Sequence, residues 1–523
     1  MSVNVINFGA LPDGKSDSSS AFQKAIDSLP NGGMVEIPEG IFIIKNVRLT
    51  SNIKLIGKGG ATVLKLPLTG KVWDMVLIVG GGKGAYNVSI SDMVIDGNKS
   101  AIGLSDVQMH GIDVRGGSED ILIQKINFTN ICGDGIRVSY DETSGLVPSK
   151  ILIENCFFSR MGRQDIAVIH AYDSIISSCT GTGTLDIEPE GALVKRISIV
   201  GCIFTELNIT ADSMVEFADC TVAECIFQDS TIWYARGIQI GNSVVNHLRV
   251  STAQDVILQN NSFKMLELFP TSDGNCSRIS VIGNLIENLN NSASDPALSG
   301  FSNNPGVSLL LWNAQDCMIV NNIIRSENNA IYVSENCHRT VISGNKIDFT
   351  NGPLTKDAIN QGGTLGIKLI NSTTDLKITK NTVDGWYKAI TANGAYHQKN
   401  LFIEGNTISN SVIKENAIEI YSSDSTMVRD NILYQDGGIA IYWGTVWVTK
   451  NHFYNTLASR ILLSQCDASV GGNTALVMPE KLYNVFSSKV KYVGNELTVL
   501  KSPSGKQFQL IVGEDGKLST KLM

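Results

Sequence analysis

A short motif that returns every 20 to 25 residues constrains the fold of this chain more than any other feature. It places alternating aliphatic residues before Asn or Cys and a further apolar residue, as in ILIENCFF at 151–158 and TVISGNKI at 340–347. A unit of this length, built of short alternating strands, is typical of one coil of a parallel β-helix. The repeated Asn or Cys falls on Cys156, Cys179, Cys202, Cys225, Asn261, Asn284, Asn322, Asn345, Asn381, Asn406, Asn431, Asn451 and Asn473.

The repeated position predicts a buried column of side chains, one from each coil. Stacked Asn amides can hydrogen-bond along such a column, and Cys can occupy it as a small buried hydrophobe. None of the ten cysteines forms a C-x-x-C pair, which favours free thiols over disulfides or a zinc site. Three gaps of 36, 38 and 36 residues interrupt the period, after Cys225, Asn284 and Asn345. They predict coils enlarged by roughly 13 residues, and such insertions often build a binding face.

A second alternating strand is visible in many coils. Examples are GIDVRG at 111–116, GIRVSY at 135–140, DIAVIH at 165–170 and TLDIEP at 184–189. Alternation with a period of two sends the aliphatic side chains inward and the polar ones outward. These strands predict a long sheet that lines a groove.

Both ends of the chain depart from the repeat. Near the N-terminus, Asp17 and three serines precede an apolar helical face formed by Ala21, Phe22, Ala25 and Ile26, which predicts a helix capping the first coil. Near the C-terminus, the alternation of Phe508, Leu510 and Val512 before Glu514-Asp515-Gly516 predicts a hairpin. The predicted fold is therefore all-β, a parallel β-helix with an N-terminal capping helix and a small β-rich C-terminal segment. Its predicted parts are 1–66 (cap and first coil), 67–478 (β-helix) and 479–523 (C-terminal segment).

Composition narrows the partners of the chain. The net charge is −8, from 42 basic and 50 acidic residues, and no Lys/Arg run is long enough to follow a phosphate backbone, which argues against nucleic acid. No apolar stretch reaches the roughly 18 residues of a transmembrane helix. The start of the chain, Met1-Ser2-Val3-Asn4, lacks the features of a signal peptide. We therefore expect neither nucleic-acid binding nor membrane insertion.

The N-terminal residues carry a family resemblance. The run N-F-G-A-x-x-D-G-x-x-D at 7–17, S-x-A-F-x-x-A-I at 19–26 and G-G-x-V-x-I-P-x-G-x-F-x-I at 32–44 resembles the signature of the pectate-lyase-like superfamily. Proteins of that superfamily are right-handed parallel β-helices and include many phage tailspikes. Residues 502–518 are similar to a short segment that closes many phage tail proteins. The resemblance implies a homotrimer located in the virion that acts on polysaccharide at the bacterial cell surface.

An acidic segment is the main candidate for catalysis. Residues 162–168 and 185–189 resemble a G-R-Q-x-I-x-V … [IL]-D-[IFL]-E-P element of β-helix proteins that act on carbohydrate. Because Leu185 and Ile187 should point inward, Asp186 and Glu188 should point outward on the same strand. The same alternation around Ile166 and Val168 predicts that Arg163 and Asp165 also point outward.

Aligning the coils on Cys156 and Cys179 gives these side chains neighbours. Asp165 and Glu188 each lie nine residues after their cysteine, whereas Arg163 and Asp186 each lie seven after theirs. If both turns are equally long, Asp165 is beside Glu188 and Arg163 is beside Asp186, about 4.8 Å away on the next strand. Repulsion should then keep one of the Asp165/Glu188 pair protonated, while Arg163 keeps Asp186 ionised. A protonated and an ionised carboxylate together are what glycoside hydrolysis requires.

The predicted catalytic residues are therefore Asp186, Glu188 and Asp165, although an acidic cluster can also merely solvate a surface. Asp134 is a secondary candidate. No metal site and no cofactor is predicted. The predicted substrate-binding residues are outward charges and aromatic side chains that can stack on sugar rings: Arg163, Glu190, Glu216, Arg137, Asp113, Trp233 and Tyr234.

The leading functional hypothesis is an endo-glycosidase that hydrolyses capsule, O-antigen or exopolysaccharide as part of a tailspike. A polysaccharide lyase is the first alternative, with His170, Tyr172 or Arg163 abstracting a C5 proton. An intramolecular fructotransferase is a further enzymatic alternative. The alternative without catalysis is a carbohydrate-binding fibre or adhesin.

Overall fold

A computed structural model of the chain describes most of its residues. They divide into two compact units, Met1–Ser262 and Phe263–Met523. No helix among the described residues is long and apolar enough to cross a membrane. The described residues are 1–68, 71–141, 144–188, 194–211, 218–270, 274–289, 307–327, 329–350, 365–371, 373–393, 398–409, 416–434, 437–454, 461–475, 482–493, 499–501, 507–512 and 518–522.

In the first unit, nine parallel strands form the sheet that carries the predicted acidic segment, here called sheet A. Every neighbouring pair in this sheet is parallel and comes from successive coils, as the prediction of a parallel β-helix requires. The strands are β1 (Val47–Leu49), β2 (Leu77–Gly80), β3 (Ile112–Arg115), β4 (Ile136–Ser139), β5 (Ile166–Val168), β6 (Thr184–Ile187), β7 (Ile203–Thr210), β8 (Ile226–Trp233) and β9 (Val244–Ser251).

The remaining elements of the first unit complete the coils. Its helices are the α-helices Ser19–Asp27 and Lys99–Ile102 and the 3-10 helices Val5–Phe8 and Gly59–Ala61. Its other strands are Ser2–Asn4, Asp13–Asp17, Gly33–Glu36, Gly40–Ile43, Ile53–Ile56, Thr62–Lys65, Tyr86–Asp96, Glu119–Thr129, Ser149–Glu154, Phe157–Ser159, Ala171–Ser177, Thr180–Gly181, Val194–Val200, Ala218–Ala223, Ile238–Gly241 and Gln254–Gln259.

The second unit repeats the parallel arrangement in a sheet here called sheet B. Its strands are β10 (Val307–Leu311), β11 (Asn329–Val333), β12 (Leu365–Ile370), β13 (Lys388–Asn393), β14 (Asn416–Arg429), β15 (Gly438–Thr449) and β16 (Ile461–Gly471). Further strands are Ser262–Leu268, Cys276–Ile282, Leu285–Asn288, Ala314–Gln315, Met318–Val320, Ile323–Ser326, Cys337–His338, Val341–Ser343, Lys346–Phe349, Thr373–Thr374, Lys377–Thr379, Thr382–Asp384, Gln398–Glu404, Thr407–Ser409, Ile432–Leu433, His452–Phe453, Thr474–Ala475, Tyr483–Phe486 and Lys489–Tyr492.

The two ends fold as predicted. The helix Ser19–Asp27 buries Ala21, Phe22, Ala25 and Ile26, and Asp17 accepts a hydrogen bond from the Ser19 backbone at its start. At the other end, Gln507–Val512 pairs antiparallel with both Val499–Lys501 and Leu518–Leu522. The fold class is confirmed, whereas the boundaries after residues 66 and 478 stay predictions.

The repeated Asn position forms a hydrogen-bonded ladder in the second unit. The Asn381 side-chain oxygen accepts hydrogen bonds from the Asn345 backbone and amide, each at 2.9 Å. The Asn381 amide donates to the Ile342 carbonyl and to Asn406. The same pattern links successive coils from Asn284 through Asn473. Each rung satisfies polar groups that are buried and would otherwise be costly.

Cysteine fills the same column in the first unit. All ten cysteines are buried free thiols, as predicted. One predicted insertion is wrong, because the gap between Cys225 and Asn261 holds two coils of 18 residues. Ser243 occupies the column there. Its hydroxyl oxygen accepts a hydrogen bond from the Cys225 backbone N–H, and its own backbone N–H donates to the side-chain oxygen of Asn261. The two other long gaps are single coils, since Asn284 bonds Asn322 directly and Asn345 bonds Asn381.

Replacing one rung tests the ladder. We expect Asn381→Ala to lower the free energy of unfolding by about 3 kcal/mol, because it leaves the Asn345 backbone N–H and the Ile342 carbonyl of the preceding coil without these buried hydrogen bonds. Calorimetry would measure the shift of the unfolding transition. The matched control is Thr382→Ala at the exposed neighbouring position. Equal shifts in both variants would contradict a structural role of the ladder.

Candidate functional site

A row of side chains crosses sheet A at one register position, with its members on successive strands. In chain order the row contains Asp113, Arg137, Ala167, Asp186, Asn208 and Thr231. On either side of Asp186, Leu185 and Ile187 are fully buried in the core, which confirms that Asp186 lies on the outer face of β6. Neighbouring strands are about 4.8 Å apart, so Asp186 and Arg137 are separated by about 10 Å across the small Ala167.

Asp186 is only 6% exposed although it lies on the outer face. Its carboxylate accepts a hydrogen bond of 3.2 Å from the Gln164 side chain. Burial, followed by repulsion from Glu188, raises the pKa of Asp186 to about 7, and the Gln164 bond only partly opposes this shift. A carboxyl group with this pKa can both donate and accept a proton near neutral pH.

The predicted alignment of the two acidic coils is wrong. Asp186 lies beside Ala167, neither Arg163 nor Asp165 has the predicted neighbour, and the Glu188 backbone donates to the Val168 carbonyl. The reason is the length of the turn between the paired residues Phe157 and Thr180 and the strands of sheet A that follow them. Ile166 comes nine residues after Phe157, whereas Leu185, its neighbour on the next strand, comes only five residues after Thr180. The alignment on Cys156 and Cys179 assumed turns of equal length, and it therefore misplaced the residues of the two coils relative to each other by four positions.

Asp165 is the side chain most affected by the longer turn. It is fully buried, so the prediction that it points outward is wrong. One carboxylate oxygen accepts a hydrogen bond of 2.7 Å from the Gly183 backbone, and the other has no hydrogen-bond partner among the described residues. A side chain at Gly181 or Gly183 would collide with this carboxylate, so both glycines are needed for its close approach. Burial raises the pKa of Asp165 to about 6, against the opposing Gly183 bond.

Arg163 pairs with Asp134 rather than with Asp186. Its Nε atom lies 3.4 Å from an Asp134 carboxylate oxygen, which also accepts the Gln164 backbone N–H at 3.1 Å. The other Asp134 oxygen lies 3.1 Å from the buried His110 ring. The prediction that Arg163 keeps Asp186 ionised is therefore wrong. Asp134 instead holds the turn that places Gln164 on Asp186.

Positive charge collects at the start of the row. Asp113 is fully buried beneath Arg115, whose Nε donates to it at 2.5 Å, and Arg137, whose Nη1 donates at 3.4 Å. Because Asp113 is covered, it does not face solvent as predicted, whereas the side chains of Arg115 and Arg137 remain 26% and 17% exposed. Two guanidinium groups against one carboxylate leave a net positive charge on this part of the face.

The opposite end of the face is acidic and aromatic. Thr184 donates a hydrogen bond of 2.8 Å to Glu206, whose strand neighbour is Asp229. Trp233 is 39% exposed and stacks on Tyr234 with the ring centroids 5.4 Å apart. Trp233 pairs with Thr210 on β7, the residue after Ile209, which pairs with Ile187 of β6.

Some of the predicted site residues are not found on this face of sheet A, and two residues that do lie there were not predicted. Glu190 and Glu216 lie outside the described residues. His170 is fully buried and its ring accepts the Tyr140 backbone N–H at 3.4 Å. Glu206 and Gln164 were not predicted, although the inward Leu207 and Ile209 signal that Glu206 points outward. Within the described part of the chain, no cluster of three His, Cys, Asp or Glu side chains could hold a metal ion.

Fold and face together define a parallel β-helix protein with an acidic site on its outer sheet. Residues 2–202 match the family described as rhamnogalacturonase A/epimerase, pectate lyase-like. This match includes the N-terminal signature and agrees with the resemblance seen there to the pectate-lyase-like superfamily.

Curated relatives match parts of the chain. The mannuronan C5-epimerase AlgE2 of Azotobacter vinelandii is 32% identical over 151 residues, which cover 26% of this chain and 15% of the epimerase. The pre-neck appendage protein of Bacillus phage phi29 is 29% identical over 197 residues, covering 34% of this chain and 22% of that protein. The chain thus spans less than a quarter of the length of these relatives.

A solved structure supports the fold over the full length. The pre-mature bacteriophage phi29 gene product 12 matches with a TM-score of 0.53 and 13% identity, covering 100% of this chain and 88% of that chain.

The buried Asp165 predicts a pH-dependent gain in stability on substitution. The unfolded carboxyl group titrates near 3.8 and the folded one near 6, so ionisation destabilises the fold increasingly as the pH rises through this window. We expect Asp165→Asn to stabilise the protein by about 2–3 kcal/mol at pH 8 and to have little effect at pH 4.

Calorimetry across this pH range would measure the difference. The control is Asp173→Asn, which removes an exposed carboxylate whose pKa is lowered by Arg196 and should stabilise at no pH. A pH-independent effect of Asp165→Asn would show that its carboxyl group does not titrate in this window.

Proposed function

We propose that the outer face of sheet A around Asp186 cleaves the glycosidic bonds of a bacterial surface polysaccharide. The observation that carries the proposal is the nearly buried Asp186 carboxyl group on the outer face, which is held by Gln164 and whose pKa is raised to about 7 by burial and by repulsion from Glu188. Hydrolysis of a glycosidic bond needs one protonated and one ionised carboxyl group beside the bond. The relatives named as polysaccharide-modifying enzymes support a substrate of this class.

The two carboxyl groups take different roles. Asp186, whose pKa burial raises to about 7, donates its proton to the leaving oxygen. Gln164 holds the carboxyl group from the side through its amide and thereby fixes its orientation. Glu188 supplies the ionised carboxylate that activates water or attacks the sugar. Arg163 and Asp134 act indirectly, because they position the turn that carries Gln164.

The rest of the face provides places for sugar rings. The small Ala167 leaves room for part of a sugar chain between Asp186 and Arg137, whose strands are about 10 Å apart. On the other side, the exposed Trp233 offers an apolar surface on which a further ring can stack. The substrate would therefore cross the strands of sheet A along the row.

A lyase or an epimerase is the second candidate, and the surplus positive charge favours it. Arg115 and Arg137 can bind the carboxylate of a uronic acid, which acidifies the C5 proton of that sugar. Glu188 would then accept that proton. His170, predicted as a base for this reaction, is buried away from the face.

We also propose that the protein is a virion component and a homotrimer that meets its substrate at the bacterial cell surface. The similarity to a phage pre-neck appendage protein supports the location in a virion.

Asp186→Asn and Glu188→Gln should each reduce the turnover of a cleaved polysaccharide by about 100-fold to 10,000-fold, since each removes one half of the acid–base pair. The assay follows reducing ends and absorbance near 235 nm on a panel of bacterial polysaccharides. Reducing ends alone indicate hydrolysis, whereas absorbance indicates a lyase.

The matched control is Asp229→Asn, which removes an exposed carboxylate from the same face and should leave turnover within about threefold of the wild type. Unchanged turnover in Asp186→Asn would refute the assigned acid. Binding without turnover in the wild-type protein would favour the adhesin.

The pH dependence of kcat/KM should report the ionisation of Asp186. Because the proton-bearing form is the active one, kcat/KM should fall as the pH rises above about 7. The residual activity of Asp186→Asn should lack this decline, and a decline at the same pH in that variant would assign it to another group.

A further inference from the structure

Sheet B of the second unit carries a polar and aromatic face of its own. One row crosses it through Tyr332, Lys368, Thr391 and Glu419, on β11 to β14. The neighbouring row, two residues further along each strand, places Ile370 beside Asn393 and Tyr421 beside Tyr442. The inward residues between the rows, such as Ala392 and Ile420, are fully buried.

The negative charge in this face is already neutralised. Lys388 Nζ lies 2.6 Å from a Glu419 carboxylate oxygen, and the Glu419 side chain is only 5% exposed. Asn416 and Tyr421 also donate hydrogen bonds to Glu419, at 2.9 and 3.0 Å. Four groups thus form a fixed, neutral network that holds the Tyr421 ring in place.

Lys368 is the cation left without a counter-ion in this face. Its side chain is half-buried, and no carboxylate among the described residues forms an ion pair with it. Its ammonium group lies 5.2 Å from the centre of the Tyr332 ring. Burial lowers the pKa of Lys368, since no nearby anion compensates for the lost hydration. A carboxylate from a ligand would supply that compensation.

Two buried polar atoms next to Lys368 also have no hydrogen-bond partner in the described part of the chain. They are the Thr391 hydroxyl oxygen, on the strand beside Lys368, and the Asn393 side-chain oxygen two residues further. Buried groups of this kind are rare and costly. Sugar hydroxyl groups, which both donate and accept, would pair with such atoms.

A stack of aromatic rings borders these groups. Tyr421 and Tyr442 stack with their centroids 4.6 Å apart and their planes 12° apart, and the 48% exposed Trp443 lies within about 6 Å of both. The rings stack in the direction that joins neighbouring strands, and Trp443 beside them leaves aromatic surface exposed to solvent. Such a surface is suited to the apolar side of a sugar ring.

We propose that sheet B holds a second saccharide site, in which Lys368 binds the carboxylate of an acidic sugar and the Tyr421–Tyr442 stack contacts a sugar ring. The site lies wholly in the second unit and does not depend on the activity assigned to Asp186. It would give the chain a second point of contact with an acidic polysaccharide.

Calorimetric titration of the full chain tests the site, with oligomannuronate and hyaluronate hexasaccharides and their carboxyl-reduced forms as probes. All proteins carry Asp186→Asn and Arg137→Met to stop turnover and to weaken the face of sheet A. Lys368→Met should weaken binding of an acidic probe at least tenfold, because a charge-assisted contact is lost, and should leave binding of the reduced probe unchanged. Lys368→Arg should retain most of the affinity, and Tyr442→Ala should weaken both forms.

Matched controls are Lys399→Met and Tyr434→Ala. Lys399 is an exposed lysine on another strand, and Tyr434 is an exposed tyrosine in a separate stack with Tyr454. Equal losses in Lys368→Met and Lys399→Met, equal affinity for acidic and reduced probes, or no binding of either acidic hexasaccharide would overturn the proposal. An unfolding temperature of Lys368→Met equal to that of the parent protein would show that a loss of binding does not result from a loss of folding.

Discussion

The fixed stacking of one coil on the next is the constraint on which the rest of this structure depends. Parallel backbone hydrogen bonds set the distance between coils, and the buried column of Cys, Ser and Asn sets their register. An Asn rung bonds the backbone and the side chain of its neighbours, so a coil cannot slip without breaking several buried bonds at once. Because the register is fixed, residues far apart in sequence meet in straight rows across a sheet.

The candidate site on sheet A arises where successive turns differ in length. The long turn before β5 folds back over the strand and brings Gln164 to Asp186. The short turn before β6 is closed by Asp165, whose carboxylate occupies the space that glycines leave free. The difference in length between these two turns therefore buries Asp186, raises its pKa and places the small Ala167 beside it.

The two sheets use one architecture for different electrostatic arrangements. On sheet A, acidic groups crowd around Asp186 while arginines gather at the start of the row. On sheet B, Lys388 neutralises the buried Glu419, and the surplus charge is the positive charge of Lys368. Since the inward side chains carry the stability, the outward positions of each row are free to vary in chemistry.

The sequence by itself determined the parallel β-helix, its capping helix, the Asn and Cys column and the outward direction of Asp186. These follow from local periodicity, which the pairing of strands preserves. Which residues become neighbours across coils was decided only by the tertiary structure, because a turn of unknown length separates each strand from the column. Four extra residues in one turn buried Asp165, moved Arg163 to Asp134 and placed Ala167 beside Asp186, and no repeat spacing records such a difference.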